Sequence, residues 1–156
     1  MRSLWPAHWL AFWVPVALLG GAWYSQLWGG LAPCEMCHWQ RGPHYAAVAI
    51  ALLALFVRAH PARRALVSLA ALCIAMSGAI GVFHAGVEYG WWQGLTQCAA
   101  PAGGSLDDIM NAPLTRCDVA AWDLFGISLA GYNAIISLGA AGLILTLLRR
   151  ARVVRP

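Results

Sequence analysis

The stretch ALVSLAALCIAMSGAIGVFHAGV, residues 65–87, runs for twenty-three positions without a charge between Arg64 and Glu88. A bilayer core about 30 Å thick is crossed by roughly 20 helical residues, so the run reads as a membrane span. Three other runs resemble it. Residues 4–34 carry no charge, with an apolar core from Trp9 to Trp28; sixteen residues separate Arg41 from Arg58, and twenty-five separate Asp123 from Arg149. The 156-residue chain is 61% apolar and 10% charged, too greasy for a soluble domain of its size. The second run is short unless Arg58 snorkels and its helix begins near Gly42. Three spans would strand residues 45–57 as an apolar segment in water, so four is the better count. The expected fold is all-α: one domain, a membrane four-helix bundle with spans at about 9–28, 42–58, 65–86 and 124–148.

Orientation follows from the arginines. The chain has ten Arg and no Lys. Arg2, Arg58, Arg63, Arg64, Arg149, Arg150, Arg152 and Arg155 fall at the two ends and in the second-to-third link. Arg41, Arg116 and all six acids (Glu35, Glu88, Asp107, Asp108, Asp118, Asp123) fall on the other side. The positive-inside rule then sets both termini in the cytoplasm and both cysteine-bearing loops outside. The net charge of +4 belongs to this topology and to the lipid surface; no basic stripe suggests nucleic acid. Residues 31–34 resemble a lipoprotein cleavage box, but Pro33 stands where a small residue is wanted and the preceding run is span-length, so the first span is expected to remain. Pro61 and the residues 62–64 read as a tight cytoplasmic turn. In the second loop, Ser105 to Met110 reads as a short amphipathic helix, Ser105 capping it, Leu106, Ile109 and Met110 forming its apolar side, and Pro113 ending it.

Chemistry concentrates in the outer loops. Cys34-Glu35-Met36-Cys37 sits in the first loop, near the membrane surface, with Arg41 four residues on. As a dithiol switch it needs one thiolate of lowered pKa, which the amide-rich start of the second helix and the Arg41 cation favour. Three other readings stay open: Cys34-x-x-Cys37-His38 matches a c-type haem attachment, the pair could join Cys98 and Cys117 around zinc, or it could be a structural bridge. Haem needs a pocket that a loop of a dozen residues hardly provides, and eighteen residues between Cys98 and Cys117 are loose for a zinc finger. Both rank below the dithiol switch, which needs no protein-bound metal. Cys98 and Cys117 together read either as a loop-closing disulfide or, with Cys34 and Cys37, as an exchange partner. Cys73 lies within the third span as a packing residue. His84, near that span's outer end, faces the bundle interior or the headgroups. His38 and His44 flank the dithiol, and spacing alone chooses neither as a proton donor.

At these positions the chain resembles the DsbB family. Pro33-Cys34-Glu35-Met36-Cys37 with Gln40-Arg41 and Pro43 is similar to that family's first-loop motif. His84-Ala85-Gly86-Val87-Glu88, Trp91-Trp92 and Cys98 are similar to the start of its second loop, and Cys117-Asp118, Trp122 and residues 124–133 to the start of its fourth span. His38 departs from the apolar residue more usual there. The vitamin K epoxide reductase family shares the ingredients in the reverse order and ranks second. The resemblance implies an enzyme of the bacterial inner membrane that reoxidises a periplasmic thioredoxin-fold, DsbA-like disulfide donor and passes electrons to the quinone pool, ubiquinone or menaquinone. It further implies a relay through Cys98, Cys117, Cys34 and Cys37, with the quinone held near Arg41 and His84.

Overall fold

The computed structural model describes residues 4–95 and 116–152; Cys98 and the expected helix over 105–110 lie outside them. Four long helices carry the described chain: α1 (Trp5–Leu27), α2 (Glu35–Phe56), α3 (His60–Glu88) and α4 (Leu129–Arg152). Three of them, α1, α3 and α4, are long and apolar enough to cross a membrane. Helix α2 misses that mark because Glu35, His38, Gln40, Arg41 and His44 occupy its first ten positions. Its 22 residues still extend about 33 Å at 1.5 Å per residue.

The bundle is centred on α3, which packs against α2 and α4, while α1 lies against α2 and α4. Buried positions repeat at three- and four-residue steps: Ala47, Ala51 and Ala54 on α2, Val67, Ala70, Ala71 and Ile74 on α3, Ala134, Ala141, Ile144 and Leu148 on α4. Small residues prevail because lipid leaves no hydrophobic drive between helices, so close van der Waals approach must hold them. A Cβ on Gly81 would stand 3.0 Å from the Ala130 carbonyl oxygen, and one on Gly78 2.9 Å from Leu138. Trp13, Phe56, Leu72 and Ile135 point outward, an apolar exterior suited to lipid.

The helix ends differ from the sequence reading in three places. Helix α2 begins at Glu35, well before Gly42: the Cys37 amide donates to the Cys34 sulfur at 3.3 Å, so the first cysteine caps the helix, and Pro43 is carried inside it. The α2–α3 connection is residues 57–59; Pro61 sits in the first turn of α3, where no amide hydrogen is needed, and does not break a helix. The fourth helix begins at Leu129, not at 124. Asp123–Leu124 (β1) and Ile127–Ser128 (β2) instead pair antiparallel around a two-residue turn, Asp123 opposite Ser128. Phe125 (φ 53°) and Gly126 (φ 75°) both take the left-handed region, as a type I′ turn requires. Ser128 then caps α4 through its hydroxyl, which accepts from the Gly131 amide at 3.1 Å.

Candidate active site

The end of the bundle where α2 starts and α3 finishes brings Cys34, Cys37, Arg41, His84 and Cys117 into one neighbourhood. Cys34, Met36, Val87 and Cys117 form a small buried cluster, with Cys37 and Phe83 packed against it. Cys34 and Cys37 are free thiols whose sulfurs stand 2.9 Å apart, whereas Cys117 is disulfide-bonded. The second loop's start helps close this end: Trp92 stacks on Phe83 and donates its indole N–H to the Phe83 carbonyl at 2.8 Å, lying over Gly86.

The two thiols are inequivalent. Cys34 is 5% exposed, and its thiol is pushed up first by its hydrogen bond to Cys37 and then by burial. Cys37, in the first turn of α2 outside the membrane-spanning part, is lowered to about 7. The main cause is that same bond, with Cys34 the proton donor; burial opposes it, and Arg41 adds a smaller favourable share. Cys34 therefore holds the proton of the pair and Cys37 the negative charge. The expected pull of Arg41 on the thiolate exists, but the partner cysteine outweighs it.

Arg41 is buried and turned toward α1. Its guanidinium donates to the Gln26 side chain at 2.8 Å and the Ala22 carbonyl at 3.3 Å and lies 5.4 Å over the Trp23 ring. Among the described residues it pairs with no carboxylate. His84 stands behind the dithiol: Nε2 is 3.5 Å from the Cys34 sulfur and 3.6 Å from a Glu88 oxygen, and Nδ1 is 2.7 Å from the Gln40 amide. Glu88 in turn accepts from the Ser128 hydroxyl. Cys34, Cys37 and His84 offer three donor atoms within 4.8 Å of one another, so this corner has the donor set of a thiophilic metal. A disulfide-bonded Cys117 offers no thiolate, so a zinc site shared with the second loop lacks that ligand in this state. The haem reading meets an obstacle too, since His38 is exposed while Cys34 is buried under His84.

Between α1, α2 and α4 lies a cavity of about 250 Å³, mostly apolar. Ser25, Cys37, Gln40, Arg41, His44, Tyr132 and Asn133 supply its polar wall, and Arg41 is the only Arg or Lys among its described lining residues; Cys34 and His84 do not line it. Behind that wall runs a seam of buried polar groups that the sequence reading did not assemble. Asn133 donates to Gln40 at 2.7 Å, His44 meets Asn133 and Ser77 at 2.9 Å each, and Ser137 donates to Asn133 at 3.0 Å.

A dithiol capped onto a helix, one sulfur acidic and facing a cavity, with a disulfide-bonded cysteine in the same cluster, has the groups that thiol–disulfide exchange needs. The family model for disulfide bond formation protein DsbB matches residues 4–147. The chain belongs to the DsbB family. Its similarity extends to disulfide bond formation protein B 1 of Pseudomonas putida, 32% identical over 127 residues, 81% of this chain and 72% of that protein. It extends also to an uncharacterized protein, RP370, of Rickettsia prowazekii, 26% identical over 133 residues, 80% of this chain and 76% of that one. No solved structure matches the chain. Membership in the DsbB family makes this a multi-pass membrane protein and an oxidoreductase of disulfide bond formation. The reverse-order vitamin K epoxide reductase reading gives way to it.

Proposed function

We propose that this protein reoxidises a periplasmic thioredoxin-fold disulfide donor of the DsbA type and delivers the electrons to ubiquinone or menaquinone in the bacterial inner membrane. Both termini are then cytoplasmic and both cysteine loops periplasmic, as the arginine distribution argues. The observation that carries the reading is the division of the dithiol: Cys37 faces the membrane cavity beside Arg41, while Cys34 lies in one cluster with Cys117.

In the exchange, a carrier thiolate bonds to Cys98 and releases Cys117, which attacks Cys34 and releases Cys37. The carrier's second thiol then displaces Cys98, and Cys98 re-forms its bond to Cys117, releasing Cys34. The carrier leaves oxidised and two electrons rest on Cys34 and Cys37, the arrangement of free and bonded cysteines described above. One carrier proton stays on Cys34 and the other goes to water. A DsbA-type carrier, at about −120 mV, cannot be reoxidised by a glutathione pool at about −220 to −260 mV. A bound quinone supplies an acceptor of two electrons and two protons. Arg41, a buried cation without a carboxylate partner among the described residues, and the apolar wall suit such a group. His84 keeps Cys34 oriented behind the electron-donating sulfur.

The reading is tested by mixing the reduced protein anaerobically with a short-tailed quinone. Dithiol thiols and oxidised-quinone absorbance should disappear together, one quinone per pair. Thiols that persist beside unreacted quinone would sink it.

A further inference from the structure

His84 lies against the dithiol with its tautomer fixed by a chain of two carboxamides. The Asn133 amide N–H groups go to the Ser77 carbonyl at 3.2 Å and the Gln40 side-chain oxygen at 2.7 Å. The Gln40 amide nitrogen therefore points the other way, donating to the Met36 carbonyl at 3.3 Å and to His84 Nδ1 at 2.7 Å. Two backbone carbonyls, of Ser77 and Met36, thus set the orientation of both carboxamides. Nδ1 must accept, so the ring is neutral and its hydrogen is on Nε2. Nε2 faces the Cys34 sulfur at 3.5 Å and a Glu88 oxygen at 3.6 Å, both of them acceptors. The Cys37 amide is a second donor to that sulfur, at 3.3 Å. Cys34 is 5% exposed and His84 2%, so water supplies no comparable donor there.

We propose that His84 is a catalytic hydrogen-bond donor, whose Nε2–H holds the negative charge on Cys34 as the bond between Cys34 and Cys117 breaks, with Gln40 as its positioning residue. This rests on the relay reading above. In that step the Cys98 thiolate bonds to Cys117, the Cys34–Cys117 bond breaks, and its electron pair leaves on Cys34. The anion then takes up one of the protons given up by the carrier. Thiol–disulfide exchange runs faster when the departing sulfur is the more stable anion. A donor already aimed at a buried sulfur stabilises that anion without reorganising at the moment of reaction. Because Nε2 offers a hydrogen and no lone pair, His84 does not act as the base that removes the Cys34 proton.

The test uses the oxidised full-length protein in detergent, mixed without added quinone with one equivalent of a reduced DsbA-type carrier. Samples are quenched in acid, and the Cys34–Cys117 species is followed by mass spectrometry. His84→Asn keeps an oxygen to accept from Gln40 but loses the donor to Cys34. Its Cys34–Cys117 species should persist about tenfold longer than the parent's, the scale of one hydrogen bond to a charged group. His84→Gln reaches the Nε2 position with an amide N–H and should stay within about threefold of the parent. An unchanged lifetime in His84→Asn overturns the proposal, as does equal lengthening in both variants. A parent that never forms the Cys34–Cys117 species overturns the relay reading itself. Should either variant fail to fold, the parent protein decides. Long-range ¹H–¹⁵N correlations should find the His84 hydrogen on Nε2, and a hydrogen on Nδ1 refutes the assignment.

Discussion

Cys34 and Cys37 share one hydrogen bond, 2.9 Å between sulfurs, that raises the first thiol and lowers the second. The bond sorts proton from charge before any partner arrives.

Alkylation of the reduced protein should therefore follow a thiolate titrating at about 7. A lowered pKa means that the charged form appears at lower pH than for an ordinary thiol. The rate should climb about tenfold per pH unit below that point and level off above it, since only the thiolate reacts. In Cys34→Ala the midpoint should move up toward the ordinary 9.0, because the largest lowering influence is gone. Arg41→Ala should move it less; a larger shift there than in Cys34→Ala would reverse the ranking of the two causes.

Arg41→Lys retains a charge but not the planar fork that grips Gln26 and Ala22. The KM for quinone should rise about tenfold, the scale of one charge-assisted hydrogen bond, with the alkylation midpoint nearly unchanged. Steady-state kinetics beside the pH titration separates the two effects. An altered midpoint with an unaltered KM would assign Arg41 to the thiolate alone.

Gly86→Ala sets a methyl against the Trp92 ring, which must then leave its place over α3. Overpacking of this kind costs about 1–3 kcal/mol. Gly20→Ala, with nothing within 4 Å, is the control and should not destabilise. Thermal unfolding in detergent should show a clear loss for the first and none for the second.

Asn133→Ala removes the link that joins Gln40, His44, Ser77 and Ser137. Hydrogen bonds inside membranes average about 0.6 kcal/mol, but several partners lose theirs at once, so a loss of about 1–3 kcal/mol is expected. Unfolding in a denaturing detergent measures it, and a fully stable variant would mean that the seam repacks freely.

For topology, Phe125→Cys and Ala59→Cys, both at exposed positions, should react with an impermeant maleimide from opposite sides of the membrane, the first in intact cells with opened outer membranes. Labelling of both from the same side would invert the arginine argument.

The spans and the dithiol were legible because each is a local pattern: runs without charge, and two cysteines beside a cation. Helix starts were less so. The apolar Leu124-Phe125 reads as the start of a span, and only the positive φ at Phe125 and Gly126 shows a hairpin there. The polar seam escaped because its bonds join residues up to 93 positions apart. A trace of it existed in Gln40 and His44, and in Asn133 and Ser137, each pair four apart and so on one face of its helix. The companion thiol's dominance over Arg41 depends on which sulfur is the donor, and no spacing encodes that.

Between His84 and His44 stand two carboxamides, Gln40 and Asn133, bonded to each other. An amide aligns its neighbours firmly but does not surrender its hydrogen at neutral pH, so the seam is a rigid strut and an electrical insulator for protons. The imidazole beside Cys34 and the imidazole at the cavity are therefore held in register without exchanging protons through the amides that join them.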